Sequence, residues 1–282
     1  MTRERNTNDF EWWLFERKTH GDIIKSLIAE SESRPWCSVI AKDPPMMPGN
    51  LNSRCRLRFV PFDRCLQDRF YYIDGTGELE IVAAGGITTQ FSWDGRDETI
   101  PGGWEESVQR AYLDQIENSE ANTLVALLAF TSPRFRGQGL AGLVIDKMVE
   151  IAKTRNFSSL VVPALPPSQF EKDKIDVPMK RLSTLRHEDG SAYDYWIRLH
   201  EKKGARVIGG SDSSHRFAMT ISDFNDNVSS TQLTESGDFI VTMDKDLVLG
   251  ANGKNMHQRV FVDSDRDLVS FDWGCVWMKY DV

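Results

Sequence analysis

The stretch from residue 123 to residue 166 restricts the fold more than any other part of the chain. "TLVALLAFTS", 123 to 132, is apolar almost throughout, as a strand covered on both faces must be. "PRFRGQGLAG" follows, with Gly137 and Gly139 close together and no acidic residue from 134 to 142. Then Ala141, Val144, Ile145, Met148, Ile151 and Ala152 recur at helical spacing, with Asp146, Lys147, Glu150 and Lys153 on the other side. Asn156 offers a C-terminal stop. "SSLVVPAL" reads as a second buried strand. A chain built this way must lay a helix against a sheet whose other face is also covered.

The flanking sequence extends that sheet. Residues 9 to 34 read as helical, with Trp12, Trp13, Phe15, Ile23, Ile24, Leu27 and Ile28 among charges. "CRLRFVPFD" and "RFYYIDGTG" are strand-like, the second ending in turn chemistry. "ELEIVAAGGITTQFSW", 78 to 93, is a long β-type run in which Gly85-Gly86 mark a bend, a bulge or a break. A helix is expected within 101–122, and another in "SAYDYWIRLHEKKG". "ARVIGG" and "HRFAMTIS" read as two strands, and short β-runs alternate with turns from about Asp223 onward. The expected class is α/β (α+β), a mixed sheet with helices on both faces.

Composition limits the partners. The 282 residues carry a formal net charge of −8, which disfavours nucleic acid. No apolar run reaches the roughly 18 residues a membrane helix needs, so no membrane partner is expected. "MTRERNTNDFEWWLFERK" has no apolar signal-like region, and Cys37, Cys55, Cys65 and Cys275 show no CxxC pairing. A cytoplasmic protein with reduced thiols is the expectation. No metal is expected. The five histidines lack HxxxH spacing, and "DSDRD" at 263–267 is followed by Leu268 and Gly274 where a calcium loop needs glycine and glutamate.

The glycine-bearing turn carries the chemistry. A helix N-terminus offers unpaired amides and the positive end of the macrodipole. Glycines remove the Cβ atoms that would hold a ligand away, and Arg134 and Arg136 add positive charge. Such a turn suits a phosphate or pyrophosphate, or serves only as a tight connection. A P-loop is ruled out, because Leu143 stands where its lysine would follow Gly142. Gly137 to Gly142 satisfy GxGxxG, but the next strand ends "VVPAL", without the acidic residue expected about 20 positions on in a dinucleotide site.

Arg136-x-x-Gly139-x-Ala141 fits another pattern, [QR]xxGx[GA]. With "WIRLHEKKGARVIG" at the later helix and strand, the chain from about 123 to 222 resembles the GCN5-related N-acetyltransferases, the GNAT superfamily. "EDGSAYDYWIRLHEKKGARV" and the tail from "SGDFIVTMDKDLVLGANG" resemble bacterial GNAT-like proteins of uncertain substrate. The resemblance implies a single GNAT-like domain over 1–282. Its parts would be an N-terminal helical segment (1–55), an acyl-CoA-binding core (56–222) and a β-rich C-terminal extension (223–282). It also implies acetyl-CoA, or another acyl-CoA, as co-substrate. Ala129, Phe130 and Thr131 would offer backbone groups to the pantetheine and the acyl carbonyl. Arg136, Gly137, Gln138, Gly139, Leu140, Ala141 and Gly142 would cradle the pyrophosphate.

The family's usual acid is a tyrosine in the later helix, and here His200 stands in its place. As acid or base it can exchange a proton near neutral pH; as a packed helical histidine it does neither. Tyr193 replaces a frequent asparagine, and Asp194 either steers a cationic acceptor or caps the helix. Glu78, Glu80 and Asp94 flank the preceding strand without singling out a base. The loop 163–190, with Lys172, Lys174, Lys180 and Arg181, is long enough to meet the acceptor. The implied reaction is acetyl transfer from acetyl-CoA to a small amine or amino-acid-like acceptor. The alternative is a non-catalytic CoA or acyl-CoA binder acting as sensor or scaffold.

Overall fold

The computed structural model describes residues 10–15, 68–74, 81–131, 135–229, 231–243 and 256–282. In chain order the strands are β1 (Phe10–Phe15), β2 (Asp68–Asp74), β3 (Ile81–Phe91), β4 (Thr123–Thr131), β5 (Ser159–Ala164), β6 (Arg206–Met219), β7 (Gly237–Met243), β8 (Met256–Asp263) and β9 (Leu268–Asp281). The helices are α1 (Trp104–Glu117), α2 (Leu140–Thr154), α3 (Met179–Leu182), α4 (Tyr195–Lys202) and α5 (Ile221–Asn227). These strands form one sheet in the order β1-β2-β3-β4-β5-β9-β8-β7, with β6 on the other edge of β9. Among the described residues β4 and β5 are the parallel pair, and all other pairs are antiparallel.

Alternation along β4 explains the two covered faces. Leu124 and Ala126 point to a core shared with Val144, Ile145, Met148 and Ile151 of α2 and Ile197 of α4. Val125 and Leu127 point the other way, to Trp104, Val108 and Ala111 of α1 and to Cys275 and Trp277 of β9. A third core lies among β7, β8, β9 and α5 around Phe224, Val241, Val260, Phe271 and Trp273. Burying a side chain of this size stabilises by about 1.5–3 kcal/mol, so the two-sided stacking on β4, β5 and β9 dominates the middle of the sheet.

Several expectations change. Phe10–Phe15 is a strand, not the start of a helix: "FEWWLF" pairs residue by residue with β2, and its aromatics suit a pleated surface. The rest of the expected N-terminal helix, with "CRLRFVPFD", Glu78 and Glu80, lies outside the described residues. The run from 78 to 93 contains one strand. Its bulge is at Ala83, where Tyr72 faces Ala84 and Ile73 faces Val82, while Gly85 and Gly86 stay in register. "ARVIGG" and "HRFAMTIS" are one strand, β6, interrupted by irregularities that leave Ser211 opposite Cys275 and His215 opposite Trp273. The division at residue 222 separates in sequence what the sheet joins. β9 is no tail; it lies between β5 and β6 along most of their length. What sits between β6 and β9 in sequence is α5 and the β7–β8 hairpin.

Two side chains complete the sheet near the far end of β5. The edge of β9 between its β5 and β8 partners has no strand at Gly274, and Gln169 fills the place. Its Oε1 accepts from the Gly274 amide at 2.9 Å, and its Nε2 donates to the Gly274 carbonyl at 3.2 Å. Asp194 is buried ahead of α4. One oxygen accepts from the amides of Trp196 (2.8 Å) and Ile197 (3.1 Å), and the other from the amide of Ser168 (2.9 Å). The carboxylate caps the helix and ties it to the turn that carries Gln169.

Candidate active site

Pairing between β4 and β5 is brief. It runs from Thr123 opposite Ser159 to Val125 opposite Val161 and stops. Beyond it, β4 stays paired with β3 as far as Thr131, and β5 stays paired with β9 as far as Ala164. The facing edges of two central strands therefore lose each other, and β4 passes from buried to half-buried at Leu128 through Thr131. A bulge marks the parting: Ile87 faces Leu128, Thr88 faces Ala126, and Leu127 is the extra residue. Ala129, Phe130 and Thr131 lie beyond the last β4–β5 pair, still in register with Gly86, Gly85 and Ala84 of β3.

The turn after β4 ends in the start of α2. Phe135 is buried and anchors it, while Arg136, Gly137 and Gly139 are exposed. Gly137 and Gly139 have φ of +79° and +78°, in the left-handed region that side chains resist. Among the described residues a Cβ built on either meets nothing within 4 Å, so the space in front of their backbone is open there. Among the described residues no side chain caps α2, and its first turn holds no acid. Gly142 differs from the rest. Its amide is bonded to the Gly139 carbonyl at 3.0 Å, and a Cβ there would meet Cε of Lys203 at 3.1 Å. The third glycine serves contact with Lys203 at the end of α4, and the backbone at Gly137 and Gly139 forms the open part of the turn. Gln138 keeps its Oε1 buried without a partner among the described residues. Arg136 lies near enough to the Tyr195 phenol to favour its ionisation, against a larger upward push from burial. The start of α2 and the end of α4 are neighbours through Gly142, Asp146 and Lys203.

His200 sits elsewhere. It is 2% exposed, with Nδ1 hydrogen-bonded to the Tyr280 hydroxyl at 2.7 Å and its ring edge-on to Trp196. Burial pushes its pKa down to about 3, so the imidazole is neutral. Tyr280 is in register with Leu160, within the stretch where β4 and β5 are still paired. Nε2 is buried without a partner among the described residues. Tyr193 donates to Glu171 at 2.7 Å under Lys174, and its pKa is pushed up to about 12, first by that bond. Asp94 lies beyond Phe91, which faces Thr123, and so belongs to the closed end of the sheet, bonded to Thr99 and Arg96. Arg134 lies outside the described residues. Sequence reasoning missed Trp104, whose indole Nε1 donates to the Leu127 carbonyl at 2.8 Å. Its place directly after Pro101-Gly102-Gly103 was the one available signal, and nothing in it named the partner.

A mixed sheet whose parallel pair parts at a bulge, followed by a glycine turn that no side chain among the described residues caps and by a crossover helix, agrees with the resemblance to the GCN5-related N-acetyltransferases. In sequence, the chain is similar to the arginine N-acetyltransferase avaD of Aspergillus versicolor, at 32% identity over 117 residues. That match takes in 38% of this chain and 39% of the relative's length. The relative is fungal, whereas the sequence resemblance pointed to bacterial proteins. No family model matches. Among solved structures, the GphF GNAT-like decarboxylase in complex with isobutyryl-CoA is 10% identical, covering 93% of this chain and 98% of its own, at a TM-score of 0.46. The loading GNATL domain of CurA from Lyngbya majuscula is 15% identical, covering 70% and 85%, at 0.43. Arylalkylamine N-acetyltransferase 2 from Aedes aegypti is 13% identical, covering 97% and 99%, at 0.39. Likenesses this distant bear on no particular reaction.

Proposed function

We propose that the protein is an acyltransferase that moves an acetyl group from acetyl-CoA to the amine of a small acceptor. One observation carries the reading: two central strands part at a bulge, and the helix after them starts from a glycine turn that no side chain among the described residues caps, with open space at Gly137 and Gly139. In this reading the amides from Gly137 to Ala141, with Arg136, hold the diphosphate of the donor. Ala129, Phe130 and Thr131 offer main-chain groups to the pantetheine arm and the acyl carbonyl. The amine attacks the thioester carbon, the C–S bond breaks, and the amine's proton is lost as the thiolate leaves and takes one up. Main-chain donors on β4 stabilise the charge that develops on the carbonyl oxygen. The relative's name makes arginine one amine to include among acceptors. The reading implies a cytoplasmic enzyme; among the described residues no helix is long and apolar enough to cross a membrane.

Binding of acetyl-CoA at a hundred times its Kd adds about 2.7 kcal/mol to stability. With about 2 cal/mol/K of unfolding entropy per residue, the melting midpoint rises by about 4–5 °C. The same shift is expected with CoA, and little with NAD or ATP. Absence of a shift with both CoA species would remove the donor site. A second reading, a CoA-binding sensor without turnover, draws on His200 being buried and held by Tyr280 where the family has its acid. Thiol release with a panel of amines decides between them: release above the hydrolysis background favours the enzyme, and binding without release favours the sensor.

A further inference from the structure

The bulge at the parting of β4 and β5 is held from outside the sheet by Trp104, the first residue of α1. The head of α1 is itself fixed to β6. The Trp104 amide donates to Oγ of Ser214 at 2.9 Å, and the Arg216 amide donates to Oε1 of Glu105 at 2.7 Å. The Trp104 ring stacks on His215 with centroids 5.1 Å apart and planes 22° from parallel. Gly103 makes the approach possible: a Cβ there would come within 2.4 Å of the Ser214 Cα. From this base the indole N–H reaches the carbonyl of Leu127, the one residue of β4 that β3 leaves without a register partner.

We propose that Trp104 is a positioning residue for acyl transfer. This rests on the donor reading given above and adds to it a residue from the helix between β3 and β4. A trans peptide points its carbonyl and the following amide in opposite directions. By fixing the Leu127 carbonyl toward α1, the indole turns the Leu128 amide away from α1. It also sets the pitch of the residues beyond, Ala129 to Thr131, along the edge that β5 has left. These main-chain groups are the ones that would face the donor's acyl carbonyl. A small rotation of that peptide plane would leave the diphosphate cradle intact, because the cradle belongs to the turn from 136 to 141, but would misalign the donors meant for the carbonyl oxygen.

The test separates the indole N–H from the indole ring. The native protein, Trp104→Phe and a variant carrying 3-benzothienylalanine at position 104 (same outline, no N–H) are titrated with [1-13C]acetyl-CoA. The carbonyl resonance of the bound thioester reports polarisation directly and needs no knowledge of the acceptor. The native protein is expected to move it downfield of free acetyl-CoA. The benzothienyl variant is expected to bind acetyl-CoA with the same Kd, melt a few degrees lower because the buried Leu127 carbonyl loses its donor, and lose most of that displacement. With an amine that the native protein acetylates, kcat should fall by about 10²-fold with KM for acetyl-CoA unchanged, the scale expected of a small misplacement. An undisplaced resonance in the native protein, or equal displacement in native and benzothienyl proteins, overturns the role. So does a loss of acetyl-CoA affinity in step with the resonance, which would make Trp104 a packing residue. Failure of the native protein to bind acetyl-CoA is a different result, visible in the first titration, and defeats the donor reading on which this one stands.

Discussion

Gly137, Gly139 and Gly142 share a motif but do different things, and substitution should separate them. Alanine at 137 or 139 must adopt a left-handed backbone, at a cost of about 1–2 kcal/mol, and places a methyl group where the turn is open. Both variants should therefore lose the thermal shift with acetyl-CoA by more than their own destabilisation explains. Gly142→Ala has an ordinary helical backbone and meets the flexible end of Lys203, so it should keep the shift. Urea melts with and without acetyl-CoA measure both quantities. The buried histidines make a second prediction. Burial holds His200 near 3 and His215 near 4, both below the ordinary 6.5, so the unfolded chain takes up protons that the folded chain refuses. Their effect on stability is absent above pH 6.5 and grows as pH falls toward 4, by up to about 1.4 kcal/mol per pH unit for each histidine. Denaturation midpoints across that range should drop steeply, and His200→Gln should flatten the drop. Equal slopes in the two proteins would show that His200 is not buried in its neutral form.

Elements were legible where one periodicity ruled. The apolar runs of β4 and β5 and the helical stripe of α2 are written plainly, and Asn156, with a left-handed φ of 56°, ends α2 as its sequence suggests. Legibility failed where local pattern and tertiary pairing part. "SDSS" at 211–214 reads as a loop, yet it is the irregular middle of β6, because both flanks pair with the same strand. "FEWWLF" has apolar residues at both spacings, and only β2 decides for the strand. The candidate site divides the same way. The turn shows in the sequence because glycines and missing acids are local facts, whereas the hold of Trp104 on Leu127 spans 23 positions and leaves no mark. Asp194 was readable as a helix cap but not as a tie to Ser168. Asp194→Ala should cost more than the 0.5–2 kcal/mol, about 1 on average, of an isolated cap, because the Ser168 amide loses its acceptor as well. Chemical denaturation measures it, and a loss within the cap's range would show that the second bond contributes nothing.

At the scale of the whole molecule, β9 joins the two halves of the sheet, β1 to β5 on one side and β6, β7 and β8 on the other. It pairs with β5 along Val276 to Asp281 and with β6 along Val269 to Lys279, and it supplies Cys275, Trp277, Val276, Met278 and Tyr280 to the cores on both faces. A chain ending at residue 267 would leave β5 and β6 without their shared neighbour. It should show no cooperative melt by circular dichroism and no response to acetyl-CoA; a sharp transition in that shortened chain would mean that β1 to β5 hold together without β9. During synthesis, then, the glycine turn leaves the ribosome more than a hundred residues before the strand that braces its framework. Until the stretch through residue 281 has emerged, a nascent chain holds the glycine turn without the wall behind it, and under the proposed function capture of the donor would wait for β9 to insert.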